Sequence, residues 1–119
     1  MSAAAYARAL DLVTQVRGVR GAMLVSRADG LVVAEQLMEG IKGGAVAALA
    51  SSLAGRLHRA MLLAGLGPTH FWHLQSEQGA LVVVPAGGET GLLVVAVADA
   101  EVNVGLVRLE LLRAAEVVV

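Results

Sequence analysis

The residues of this sequence best suited to chemistry are the histidines His58, His70 and His73 and the arginines Arg56 and Arg59. Histidine binds metals and moves protons near neutral pH, whereas arginine grips carboxylates and phosphates. His70 and His73 stand three apart in a segment that reads as a strand. Their side chains are therefore expected on opposite faces, where they cannot share a metal ion. His58 has no histidine or carboxylate three or four positions away, so a solvated or interface histidine is expected rather than a ligand or base. Arg56 and Arg59 suit anchoring to an acidic surface better than action on a phosphate.

The remaining chemical signals fail on their surroundings. Asp29 stands beside Gly30 in a turn and Glu35 ends the following strand, roles that need geometry and solubility rather than an acid–base pair. The stretch GIKGG, residues 40–44, lacks the Gly-Lys-Ser or Gly-Lys-Thr ending of a phosphate loop, and Lys42 precedes its last glycines. Gly65-Leu66-Gly67 follows a helix instead of joining strand to helix, so it is no dinucleotide fingerprint. The chain has no cysteine, which removes disulfides, thiolate metal sites and thiol nucleophiles. No catalytic residue, cofactor or metal is expected, and the chain does not read as an enzyme.

Composition turns attention to surfaces. With 119 residues the chain fits one domain, residues 1–119. It is 57% hydrophobic and 16% charged, so some apolar surface should meet another chain. The longest apolar window, Gly43 to Leu66, is interrupted by Arg56, His58 and Arg59, and an arginine near a bilayer centre costs roughly 2.5–3.5 kcal/mol. A helix off the membrane is expected there. Arg8 and Asp11 break any apolar run near the start, so no secretory signal is read and a cytoplasmic location is expected. A net charge of −1 with a single lysine, Lys42, argues against nucleic acid as partner.

The elements that would position these residues follow from periodicity. Ala5, Ala9, Leu12, Val13 and Val16 predict an amphipathic helix over 3–16. AMLVSRADGLVVAEQ predicts two strands joined through Asp29-Gly30. A long helix is predicted up to Leu66, stopped by Gly65, Gly67 and Pro68. THFWHLQS, ALVVVPA and GLLVVAVA predict three more strands, and Val104, Val107, Leu111 and Ala115 a last helix capped by Asp99 or Asn103. LVVA, LVVV and LLVVAVA are apolar on both faces, which calls for helices on both sides of the sheet: an α+β, three-layer α/β/α sandwich. THFWHLQS is more polar and is placed at an edge.

On the long helix, Val46, Ala50, Leu53, Leu57, Ala60, Met61 and Ala64 form a stripe expected to cover the sheet. Ala45, Ala48, Ser52, Gly55, Leu62, Leu63 and Leu66 make the opposite side apolar as well, and small residues there would admit a second helix. A homodimer needs only one self-complementary patch and is the simplest partner.

GVRGAMLVSRADGLVVAEQ, the Ala-rich long helix, LVVVPAGGETGLLVVAVA and DAEVNVGLVRLELLRAA together resemble Roadblock / dynein light chain domains over essentially the whole chain. Gly18-Val19-Gly21-Ala22, Asp29-Gly30 with Leu31 and Val32, and Asn103 to Arg108 are the best markers. The resemblance implies a profilin-like five-stranded antiparallel sheet, order 2-1-5-4-3, with one long helix on one face and the two terminal helices on the other. It also implies dimerisation through the third strand and second helix. Carried over, that assigns Phe71, Trp72, His73 and Leu74, with Ser52, Gly55, Arg59 and Leu63, to a dimer interface. Bacterial MglB-like members imply a small Ras-like GTPase as partner, whose hydrolysis or localisation the dimer would modulate, and Arg56, His58 and Arg59 are the residues offered to it. The same resemblance fits a scaffold subunit without a GTPase contact. A different class of function is a small-ligand sensor, with Phe71 and Trp72 lining a pocket beneath the long helix.

Overall fold

The computed structural model describes residues 3–119. The order is α1 (Ala3–Thr14), β1 (Val19–Ser26), β2 (Val32–Leu37), α2 (Gly43–Leu63), β3 (Trp72–Gln75), β4 (Ala80–Pro85), β5 (Leu92–Ala98) and α3 (Val104–Val117). The five strands form one antiparallel sheet in the order β2-β1-β5-β4-β3. β1 and β5, at or near the centre, are buried on both faces, as strands apolar on both faces must be.

Two clusters of buried side chains flank the sheet. On one face Ala9, Leu10, Val13 and Val16 of α1 and the turn after it meet Val107, Leu111, Ala114 and Ala115 of α3 over Leu24, Val82, Val94 and Ala96. On the other face Ala47, Ala50 and Ala54 of α2 lie on Met23, Val25, Val83, Leu93 and Val95. The helices are thus divided as expected, one long helix against the two terminal ones.

Local chemistry ends the elements. α2 stops in a glycine-based Schellman cap: Gly65 takes φ +75°, its N–H bonds Leu62 O at 3.0 Å, and Leu66 N–H bonds Met61 O at 2.9 Å. Of the two capping candidates Asn103 starts α3, its Oδ1 accepting from Leu106 N–H at 3.1 Å, while Asp99 faces Arg20 at 3.8 Å. Asn103→Ala should therefore cost about 1 kcal/mol, read as a shift in the denaturation midpoint with an unchanged slope. In the β1–β2 turn Gly30 takes φ +73°, and its missing Cβ leaves room for Ser51 of α2. Asp29 accepts from Leu31 N–H. The Ser26 hydroxyl, then that amide, hold its carboxyl below the usual carboxylate range.

Two expectations change. β2 is not covered on both faces: Leu31 is 64% and Val33 42% exposed, because α1 is only 12 residues long and leaves this edge open. Val33 is the extra residue of a bulge, where Leu24 pairs with Ala34 but Val25 with Val32. Second, the strand expected over Thr69–Ser76 spans only Trp72–Gln75, so His70 precedes it.

Candidate functional site: the α2 and β3 face

The sheet selects alanines from α2. Ala47, Ala50 and Ala54 are buried, with Val46, Leu53 and Leu57 half-buried beside them. Small side chains let helix and sheet approach closely, which periodicity alone does not foresee because alanine and leucine count alike as apolar. Ala60 and Ala64, expected on the sheet, are exposed, since the last two turns of α2 run beyond it. Facing outward are Ala45, Ala48, Leu49, Ser52, Arg56, Arg59, Leu62, Leu63 and then Leu66, with Leu63 90% exposed. An outward face this apolar is unusual for a helix bordering water.

β3 is the edge strand next to this face and pairs only with β4, in unbroken register from Trp72–Val83 to Gln75–Ala80. Its outer backbone groups have no strand to bond. On the α2 side, Leu74 of β3 and Leu81 of β4 form, with Ala80 and Val97, the floor of an open groove of about 590 Å³. Val46 and Leu49 of α2 make its wall, and Arg20, Gln75, Ser76 and Gln78 stand around its rim.

The residues offered from the sequence divide between this face and other places. Leu74 and Leu63 are exposed on it, and so are Ser52, Arg56 and Arg59 along the helix crest. Trp72 points under α2 into the core, 8% exposed, so it offers an interface its backbone rather than its ring. Phe71 points to the opposite face, where it meets the α1–α3 cluster and the Arg108 guanidinium lies 5.0 Å from its ring centre. Phe71 and Trp72 therefore cannot line one pocket, and the space beneath α2 is filled by Trp72. His73 pairs with Val82 and so faces α3 rather than α2. His70 lines a groove with Val84, Leu112 and Val119 on that same α3 side, so the two histidines do not separate as a longer strand would require. Among the described residues no group of three His, Asp or Glu is placed to hold a metal ion.

Gly55 and His58 sit away from the groove. Ala48 and Ser51 meet Gly30, and Ser51 Oγ donates to Arg27 O at 2.9 Å, which fixes that flank of α2 against the β1–β2 turn. Gly55 and His58 follow Ser51 by four and seven positions and share its flank. His58 is half-buried, its Nδ1 sealed from solvent without a partner. The groove flank instead carries Leu49, Leu53 and Ala60 beside Arg56. Leu49 is the functional residue not singled out from the sequence, although the 100° periodicity sets it next to Arg56 and Leu53.

Among the described residues, the buried side-chain polar atoms without a hydrogen-bond partner are His58 Nδ1, Thr69 Oγ1, Trp72 Nε1, His73 Nε2 and Glu110 Oε1. Three of these five belong to β3 and its approach, and His58 lies on the far flank of α2. Unsatisfied buried groups are costly, so the three at Thr69, Trp72 and His73 mark the β3 edge as the least complete part of the sheet.

Among the described residues no helix is long and apolar enough to cross a membrane. Comparison with known proteins gives a consistent picture. The family model described as Roadblock/LC7 domain matches residues 6–96. An uncharacterized protein of Methanocaldococcus jannaschii is 38% identical over 109 residues, covering 92% of each chain. Among solved structures, the gliding protein MglB of Thermus thermophilus superposes with a TM-score of 0.81 at 27% identity, over 99% of this chain and 90% of that one. An MglB in a tetrameric arrangement gives 0.79 at 27% identity, over 100% and 96%.

Proposed function

The chain belongs to the Roadblock/LC7 domain family, and from that premise we propose that it is a non-catalytic regulatory or adaptor module: a homodimer joined through β3 and α2 that docks a small Ras-like GTPase. The observation that carries this is the juxtaposition of an unpaired strand edge with an apolar groove and an apolar outward helix face.

The two edges of the sheet are not equivalent. β2 is bulged at Val33 and carries exposed Glu35, both devices that discourage pairing with another strand. β3, with the sequence WHLQ, has no bulge and no formal charge. A two-fold axis at β3 extends the sheet to ten strands and sets two α2 helices side by side, running in opposite directions. Leu62, Leu63 and Leu66, at the projecting end of one α2, then lie toward the groove of the other copy, floored by Leu74 and Leu81. The occurrence of a multi-chain MglB among the similar structures supports assembly from copies. The MglB likeness supports a GTPase as the docked protein, with the paired α2 crests as its platform.

The test is co-sedimentation of the chain with a purified small Ras-like GTPase, loaded with GDP or a GTP analogue. Binding selective for one nucleotide form is expected. Equal absence of binding to both forms, with the homodimer intact, overturns the GTPase assignment and leaves a scaffold role.

A further inference from the structure

The formal charges on α2 and β3 themselves are all of one sign. Residues 40–76, which contain α2, β3 and the connection between them, hold three of the chain's nine basic residues and none of its ten acidic ones, with Glu39 and Glu77 standing just outside. This stretch carries +3, and the rest of the chain −4, against a net −1 overall. Arg56 and Arg59 are both exposed on the crest of α2, three positions apart and hence close enough to repel each other. The ion pairs among the described residues, Arg20–Asp99 and Arg113–Glu110, involve neither of them. Their neighbours on the crest, Leu49, Ser52 and Leu63, supply no carboxylate either.

We propose that the surface docked on α2 is an acidic protein surface, whose carboxylates pair with Arg56 and Arg59 on the crest of the paired helices. This rests on the docking role proposed above and adds the chemistry of the partner. A two-fold pair of α2 helices presents four guanidiniums without a counter-charge, set in apolar surface that lowers the local dielectric once covered. Arginine forks match carboxylates with two parallel hydrogen bonds, and such pairs set partner choice and association rate. A phosphate polyanion fits less well. Three basic residues dispersed over 37 positions make no continuous track along which a phosphate backbone could run.

The test uses the wild type and the double variants Arg56→Gln/Arg59→Gln and Arg56→Glu/Arg59→Glu, all first shown to keep the wild-type mass and melting temperature. Binding to the Ras-like GTPase should weaken about 10- to 100-fold in the glutamine variant and further in the glutamate variant. The wild-type advantage should shrink as salt rises from about 0.05 M to about 0.5 M. GTPase binding that is indifferent to both variants and to salt overturns the acidic-surface inference while leaving the docking role intact. If no GTPase binds, the inference is read on labelled poly-L-glutamate, phosphatidylserine vesicles and single-stranded DNA. Retention of poly-L-glutamate that depends on Arg56 and Arg59 supports it. Indifference of poly-L-glutamate to the variants, or stronger arginine-dependent binding to vesicles or DNA, overturns it.

Discussion

Leu74→Glu is expected to turn a dimer into a monomer. Leu74 is 46% exposed on β3 and floors the groove that α2 of a second copy would cover. Burying one leucine contributes about 2 kcal/mol, and two-fold symmetry counts it twice. A carboxylate placed in the seam adds the cost of removing a charge from water. Together these raise the dimer dissociation constant by about 10³-fold or more. Velocity sedimentation across a dilution series measures it. Leu31→Glu is the matched control: Leu31 is more exposed still, but lies at the bulged β2 edge, and its substitution should leave the mass unchanged. Equal effects of the two substitutions would mean that general apolar contact, rather than the β3 edge, drives assembly.

Leu111→Ala should give the largest loss of stability. Leu111 is fully buried in α3, within the cluster that joins α1, α3 and the sheet. Truncating a buried leucine removes its transfer free energy and leaves a cavity, at a cost of about 2–5 kcal/mol. Since a domain of this size is stable by only about 5–15 kcal/mol, the melting temperature should fall by roughly 10–20 °C. Circular dichroism melts of mutant and wild type at equal protein concentration test this, because association would itself raise stability. A loss below about 1 kcal/mol would contradict the place of Leu111 in a closely packed core.

The order of elements was legible because each boundary has local chemistry: Asp29-Gly30 for the turn, Gly65 for the stop of α2, Asn103 for the start of α3. The edge position of β3 was legible from the polarity of THFWHLQS beside the wholly apolar β4 and β5. What remained hidden depends on contacts made at a distance. Periodicity defines a stripe on α2 but cannot say that Ala47 and Ala54, rather than Ala60 and Ala64, meet the sheet. That depends on where the sheet ends. Phe71 and Trp72 are adjacent aromatics of similar character, yet strand alternation sends one under α3 and the other under α2. VVAEQL does not reveal that its outer face stays open, which depends on the reach of α1. The crest arginines could be found from spacing, whereas His58 was grouped with them by nearness in sequence and lies on another flank of the helix.

The most direct test of the account is sedimentation equilibrium of the unmodified chain over a wide concentration range. A homodimer joined through β3 and α2 gives a species of twice the 12.1 kDa chain mass, dissociating only on strong dilution. A mass that stays at 12.1 kDa at every concentration would contradict it, leaving the β3 edge and the groove beside α2 without the second copy on which the proposed platform depends.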